Sequence, residues 1–518
     1  MDSRYDVIVL GSGLGGLGAA FECSRKGLKT LLLEQHNLPG GYATSFVRGR
    51  FEFEPSLHEL PDMRSIKAAT GVIRYLLDDA QLDVGFSSIP DAYRLILTEK
   101  GTDVRMPFGV DNLVETISRE VPGSEESVRN YMNLCREVQD AFKYLNEHAD
   151  NLNYREVLKK HGNFVRTGAA TAAQVADSLN VPKAARDLLL PYWCYLGVPE
   201  NRVSFSIWSS LLDAYISSGA VIPKYRSHEL SSAFIDKFIR QGGEFRLNTR
   251  VTRILARQGR ITGVELAGGE QLSTPIVISN TSPTNVFSKL IFPPEEVPSA
   301  AYQNIRSRKL GFSLFVVYLG LDRSPEELGL EDYSYFIAPH MDTEKLYPEG
   351  KSLDAKDIMQ ASVCLNIGNP GCSPPGTTIL ALTAGQKAEA WADVTPETYN
   401  DRKEMVADIM IEQFEKAVGV DLRSHIEEIE IAAPQTFARY TDSHDGIVYG
   451  YEPEVWDGIV PRVLHQKDEN YLKGLHFCGG FSFRCHGYGS SIMSGKAAAE
   501  AAFAEAAAVS AKGDGNES

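Results

Sequence analysis

Gly11, Gly13 and Gly16 stand in a G-x-G-x-x-G spacing, and Glu34 follows roughly 20 residues on. Each piece meets one requirement of an adenine dinucleotide. Gly11 permits a tight turn out of the run Val7-Ile8-Val9-Leu10. Gly13 lacks a Cβ, so backbone can approach a pyrophosphate. Gly16 lets the following helix pack closely on the strand. That helix starts near Leu14 and turns its N–H groups and positive dipole end toward phosphate. Glu34 closes a second apolar run, Leu31-Leu32-Leu33. Its carboxylate can accept hydrogen bonds from ribose hydroxyls and repels a 2′-phosphate. Strand, loop, helix and acid arrive in the required order, which a glycine-rich turn without a ligand does not need.

Four groups further along carry possible chemistry. His58 and Glu59 follow the first loop and serve either a cofactor-facing role or a structural hydrogen bond. Lys224, Arg226 and His228 form a basic cluster that either holds a polar substrate group or is ordinary surface charge. Cys485 precedes a helix start, where a thiol pKa can be lowered and a cofactor can be attached, or where a small residue simply packs. His486 is a candidate proton donor. Tyr449, Tyr451, Trp456, Phe481, Phe483 and Tyr488 offer an aromatic wall or core packing. No Ser/His/Asp or paired-carboxylate signature is present. His and Cys lack zinc spacing, so no metal site is expected.

The elements that must position these residues are legible in outline. Residues 124–190 read as largely helical. A helix around His228 to Arg240 places Leu230, Phe234, Ile235, Phe238 and Ile239 on one face, and Gly242-Gly243 stops it. Strand-like runs follow at Glu244 to Leu247, Arg250 to Ala256, Arg260 to Leu266 and Leu272 to Ser279, read together as an antiparallel or mixed group. Asp401 to Val418 reads as a helix, with Met405, Ile409 and Phe414 roughly on one side. The run from Leu310 to Leu321 is shorter than the ~20 residues that span a bilayer and suits a buried strand. Gly474 to Ala508 reads as strand, glycine-rich loop and alanine-rich helix, before a tail (511–518) expected to be disordered.

The expected fold class is α/β: a Rossmann-type FAD-binding domain, mostly parallel sheet with helices, and an inserted α+β substrate domain. Residues 1–60, 220–285 and 466–510 make the discontinuous first domain, and 61–219 with 286–465 the second. The chain has 518 residues, 43% hydrophobic, enough for a large core. Its 68 acidic and 52 basic side chains give a formal charge of −16, which argues against nucleic acid. Seven cysteines, an odd number, suggest no disulfide framework. A cytoplasmic location is expected, with peripheral contact at a membrane face left open, as is the oligomeric state.

Three features select FAD over NAD. Pro39-Gly40-Gly41 lets backbone lie against a pyrophosphate and ribityl chain. The stretch Gly243 to Val251 supplies backbone to read an adenine edge. Cys478-Gly479-Gly480 leads into a small-residue loop and the helix beginning near Ser490, whose dipole favours an anionic reduced flavin. With these residues in place the chain resembles the phytoene desaturase, carotenoid isomerase and retinol saturase family, within the amine-oxidase-like flavoproteins. The likeness spans the chain and is strongest at 5–60, 220–285 and 470–505. It implies cofactor contacts at Gly11, Gly13, Gly16, Glu34, Gly40, Gly41, Val251, Gly479, Gly489 and Ser490. It implies desaturation, saturation or isomerisation of an apolar polyene or isoprenoid. The alternatives are a flavin amine oxidase, with Lys224 as the cation facing the ring, and a non-catalytic isoprenoid-binding escort protein.

Overall fold

The computed structural model describes residues 4–61, 71–147, 153–458, 461–462, 471–482 and 485–513. Val7–Leu10 and Thr30–Leu33 are buried at every position. Continuous apolar runs of this kind belong to a parallel sheet covered on both faces. That sheet has five strands in the order Glu244–Arg246, Thr30–Leu33, Val7–Leu10, Val277–Ser279, Leu475–Phe477, all paired in parallel. Its strands thus come from the start, middle and end of the chain. Loops emerging from their carboxyl ends converge where Val7–Leu10 meets Val277–Ser279, the place where open α/β sheets bind ligands.

Two of the expected strands pair differently from the sequence reading. Glu244–Arg246 joins Thr30–Leu33 in the parallel sheet rather than its sequence neighbours. The run Leu272 to Ser279 breaks into Gln271–Ser273 and Val277–Ser279. Pro275 lies in the break, and the two halves enter different sheets. Val251–Arg257, Arg260–Leu266 and Gln271–Ser273 do form antiparallel neighbours, with Ile291–Phe292 alongside in parallel.

A seven-stranded mixed sheet forms a second layer, with Ser313–Leu321 near one edge. All nine residues of that strand are buried, as its apolar sequence requires. The expected helix is Tyr399–Val418; its buried face is Val406, Ala407, Met410, Ile411 and Phe414, while Met405 and Ile409 are half-buried flanks. Helices Glu125–Glu147, Tyr154–Lys160, Gly162–Thr167, Ala172–Ser178, Lys183–Leu189 and Phe205–Ser218 account for the helical stretch and its extension.

Leu14–Arg25 packs directly on the last helix, Tyr488–Gly513. A Cβ on Gly495 would stand 2.1 Å from the Gly15 carbonyl oxygen, and one on Gly18 would stand 2.8 Å from that of Ile492. The last helix runs into the tail expected to lack structure, because its alanine-rich sequence carries high helix propensity; residues 514–518 lie outside the described residues. Among the described residues, no helix is long and apolar enough to cross a membrane.

Candidate functional site

The first turn of Leu14–Arg25 begins at Gly13, and its leading N–H groups have no partner within the helix. Around it the chain comes very close to itself. Gly40 N donates to Ser12 O at 2.9 Å, and Gly13 and Gly40 form a parallel bridge. A Cβ on Gly40 would meet Ala43 O at 2.2 Å, and one on Gly41 would meet Gly13 Cα at 3.3 Å. Gly16 is needed for a related reason: its Cβ would fall 1.9 Å from Gly11 O. Asn280, just beyond Val277–Ser279, completes the cradle. Its side-chain amide lies 2.4 Å from where a Gly13 Cβ would be, 2.5 Å from that of Gly15 and 2.4 Å from that of Gly479. Glycines from two distant segments converge on one amide, a role no local motif in the sequence marks.

Glu34 directly follows the second strand and is buried. Its Oε2 accepts from Ser12 N at 2.7 Å and Ser12 Oγ at 2.6 Å, and Oε1 accepts from His36 N at 2.8 Å. The carboxylate therefore fixes the glycine loop as well as facing the cleft. A carboxylate has about four acceptor sites, so capacity remains for a ribose hydroxyl. Thr249 N donates to Glu34 O at 2.8 Å, which brings Val251 alongside.

These residues open onto one cavity of about 2120 Å³. Single-ligand pockets usually measure ~300–1,000 Å³, so there is room for more than one ligand. Gly11, Gly13, Glu34, Gly40, Gly41, Val251, Gly479, Gly489 and Ser490 all line it; Gly16 does not and acts on the loop instead. Past Gly479 to Ser490 the cavity continues between helices, against Phe142, Leu145, Phe164, Leu196 and Leu211.

The catalytic candidates divide. His58 and His486 line the cavity and Lys224 does not. Lys224 is exposed in the turn after Pro223, its backbone N–H bonded to Gly85 O. Lys224, the cation expected against a ring, thus lies outside this cavity. Arg226 is buried elsewhere, donating to Glu52 O and Cys372 O, and His228 lies near Thr44 Oγ1; neither lines the cavity. Cys485 lines it, but burial raises its thiol pKa despite Arg462 Nη1 at 2.9 Å from Sγ. The lowered pKa expected from its helix-start position is not found. His486 Nε2 donates to Tyr195 O at 2.6 Å, and its ring stacks on Tyr449 at 4.5 Å. Burial lowers its pKa to about 4, so it is neutral at neutral pH. Of the aromatic set, Tyr449, Phe481 and Tyr488 line the cavity, Tyr451 is buried behind it, Trp456 is half-exposed, and Phe483 lies outside the described residues.

His58 and Glu59 meet a partner the sequence reading missed, Tyr195. Its hydroxyl is 3.1 Å from Glu59 Oε1 and 3.3 Å from His58 Nδ1, while His58 Nε2 is 3.1 Å from Thr383 Oγ1. Ser334 Oγ donates to Glu59 Oε2 at 3.0 Å. Burial pushes the Glu59 carboxyl up to about 7 against these hydrogen bonds, and drops His58 to about 4. The stability consequences have opposite signs. The folded chain holds the Glu59 proton between pH 4.5 and about 7, where the unfolded chain releases it, so this contribution is lost as pH rises. His58 contributes stability that is lost as pH falls from 6.5 toward 4. Removing the first alone uncovers the second. Denaturant titrations should therefore show Glu59→Gln gaining stability with pH, relative to wild type, by up to about 1.4 kcal/mol per pH unit between these pKa values. Parallel pH curves would show that Glu59 is not held protonated.

Residues 6–501 match the family described as FAD dependent oxidoreductase (DAO). The chain belongs to this family, and FAD is its cofactor. It is 24% identical to the all-trans-retinol 13,14-reductase of Danio rerio, covering 92% of this chain and 82% of that protein. It is 24% identical to prolycopene isomerase 1, chloroplastic, of an Oncidium hybrid cultivar (95% and 82%) and 25% identical to the lycopene-forming phytoene desaturase of a Paracoccus species (95% and 96%). Among solved structures it resembles an oxidoreductase from Methanosarcina mazei, with TM-score 0.60, 14% identity and coverage of 96% and 100%. Cyclohexylamine oxidase from Brevibacterium oxydans gives TM-score 0.59 at 16% identity, covering 96% and 98%. These two likenesses concern the fold. The chain is thus an enzyme, an FAD-dependent oxidoreductase of α/β architecture.

Proposed function

We propose that this enzyme acts on an apolar conjugated polyene of the retinoid or carotenoid class, changing one of its double bonds by saturation, desaturation or isomerisation. The observation that carries this reading is the continuity of the cavity: the glycine cradle leads without interruption into a chamber walled by aromatic and aliphatic side chains. Segments 1–60, 220–285 and 466–510 hold the cofactor, and 61–219 with 286–465 enclose the substrate. Gly11, Gly13, Gly40 and Gly41 take the pyrophosphate side, Glu34 and Val251 the adenosine side, and Gly479, Gly489 and Ser490 the ring side. Bound flavin supplies the two-electron chemistry; the surrounding residues orient it and exclude water. The names of the three relatives support the substrate class. The exposed position of Lys224 weighs against amine oxidation, and the intact cradle against an escort protein without flavin.

The test is anaerobic mixing of purified holoprotein, oxidised and chemically reduced, with all-trans-retinol, phytoene and prolycopene. Expected is a change in flavin absorbance, or a shifted polyene spectrum without net flavin change, for at least one of them. Flavin bleaching by alkylamines alone, or a colourless protein, would overturn the reading.

A further inference from the structure

Four polar side chains form one hydrogen-bonded row along the cavity wall: Glu59, Tyr195, His58 and Thr383, spaced 3.1, 3.3 and 3.1 Å apart. They come from the segment just before Leu60–Pro61, the helical turn Pro191–Tyr195 and the strand Thr378–Gln386, and all four line the cavity. A neutral imidazole has one N–H and one bare nitrogen, and each hydroxyl carries one hydrogen. The row therefore has two complete arrangements. With Glu59 protonated, it donates to Tyr195, Tyr195 to His58 Nδ1, and His58 Nε2–H to Thr383. With Glu59 ionised, every bond reverses: Thr383 donates to Nε2, Nδ1–H to Tyr195, and Tyr195 to Glu59. The two arrangements differ by one proton.

We propose that this row is a proton relay that delivers one proton to, or withdraws one from, a substrate carbon beside Thr383 Oγ1. The inference rests on the polyene reading above. In delivery, O–H bonds break at Glu59, Tyr195 and Thr383 and the Nε2–H bond breaks at His58. New bonds form at Tyr195 O, His58 Nδ1, Thr383 O and the substrate carbon. Glu59 ends as a carboxylate, and no electron moves along the row. Saturation takes its electron pair and second hydrogen from reduced flavin, desaturation returns them to oxidised flavin, and isomerisation needs only the proton, added and withdrawn. His486, bonded to the Tyr195 carbonyl, ties the row to the loop before the last helix.

The groups facing Glu59 suit this role. They are Tyr192, Cys194 and Tyr195 from the helical turn, Tyr215 from Phe205–Ser218, Ser334 from the mixed sheet with Tyr333 just before it, and His58. None is a Lys or Arg among the described residues, and burial keeps His58 neutral. With its carboxyl held near 7, Glu59 populates both arrangements at neutral pH.

Two measurements on the holoprotein test the relay. Infrared difference spectra through neutrality should show protonated carboxyl absorption titrating near 7, part of which is lost in Glu59→Gln and displaced in Tyr195→Phe, the remainder belonging to Glu54, which burial also pushes up to about 7. Reduced holoprotein given all-trans-retinol in D2O should place solvent deuterium in the product. That incorporation should slow about 10²-fold in Glu59→Gln, Tyr195→Phe and Thr383→Val, with bound flavin unchanged. Wild-type incorporation rates in Glu59→Gln and Tyr195→Phe, or titrating carboxyl absorption that Glu59→Gln leaves unchanged, would overturn the relay. Should the wild type leave every polyene untouched, the substrate reading fails, and the infrared titration still decides whether the relay exists.

Discussion

Replacing Gly495 by Val should destabilise the protein by about 4 kcal/mol or more, a large share of the 5–15 kcal/mol that folded chains usually possess. The reason lies at the crossing of Leu14–Arg25 and Tyr488–Gly513. A Cβ at 495 would meet Gly15 O at 2.1 Å and Ala19 N at 2.7 Å. Both are backbone atoms of a helix whose other side is fixed against the parallel sheet, so neither can yield by a rotamer change. The helices must separate, and separation moves the glycine loop that the first helix begins. Loss of flavin should therefore accompany loss of stability. Gly268→Ala is the matched control, since nothing lies within 4 Å of its Cβ, and it should change stability by less than about 0.5 kcal/mol. Urea midpoints and flavin content of both variants check this. A wild-type midpoint for Gly495→Val would show that the helices do not pack this closely.

Glu34→Gln should weaken FAD binding about 10- to 100-fold with the fold retained. Glutamine keeps the size but offers one acceptor oxygen and two N–H donors. Ser12 N, Ser12 Oγ and His36 N donate to Glu34 from both sides, so the new amide group must face a donor on one of them. One charge-assisted bond lost is worth about 1.5–3 kcal/mol. A second contribution is lost at the ribose. Fluorescence titration of deflavinated protein with FAD gives the dissociation constant directly. An unchanged constant, with an unchanged loop, would remove Glu34 from the site.

The glycine loop of the candidate site was legible because its signal is local. Glycine spacing, an apolar strand before it and an acid after it are read from one continuous stretch, Val7 to Glu34, and the first two strands and first helix form as expected. What the sequence did not disclose depends on pairing between distant segments. Glu244–Arg246 carries no mark that sends it to Thr30–Leu33 instead of Val251–Arg257. Asn280 is one polar residue after an ordinary strand, and its importance comes only from the glycines that surround it in space. Tyr195 and Thr383 sit inside apolar stretches some 190 residues apart in sequence, yet both reach His58. Lys224 illustrates the reverse: a cation in a suggestive motif faces solvent because the turn after Pro223 directs it outward.

The most direct measurement is a crystal structure of the holoprotein. Expected is FAD with its pyrophosphate over Gly13 and Gly41, its adenosine ribose at Glu34, and its ring at Cys485 to Ser490, next to the chamber containing Tyr195 and Thr383. A flavin bound elsewhere, or side chains of Phe142, Phe164 and Leu211 closing the chamber around it, would contradict a shared cleft for cofactor and polyene.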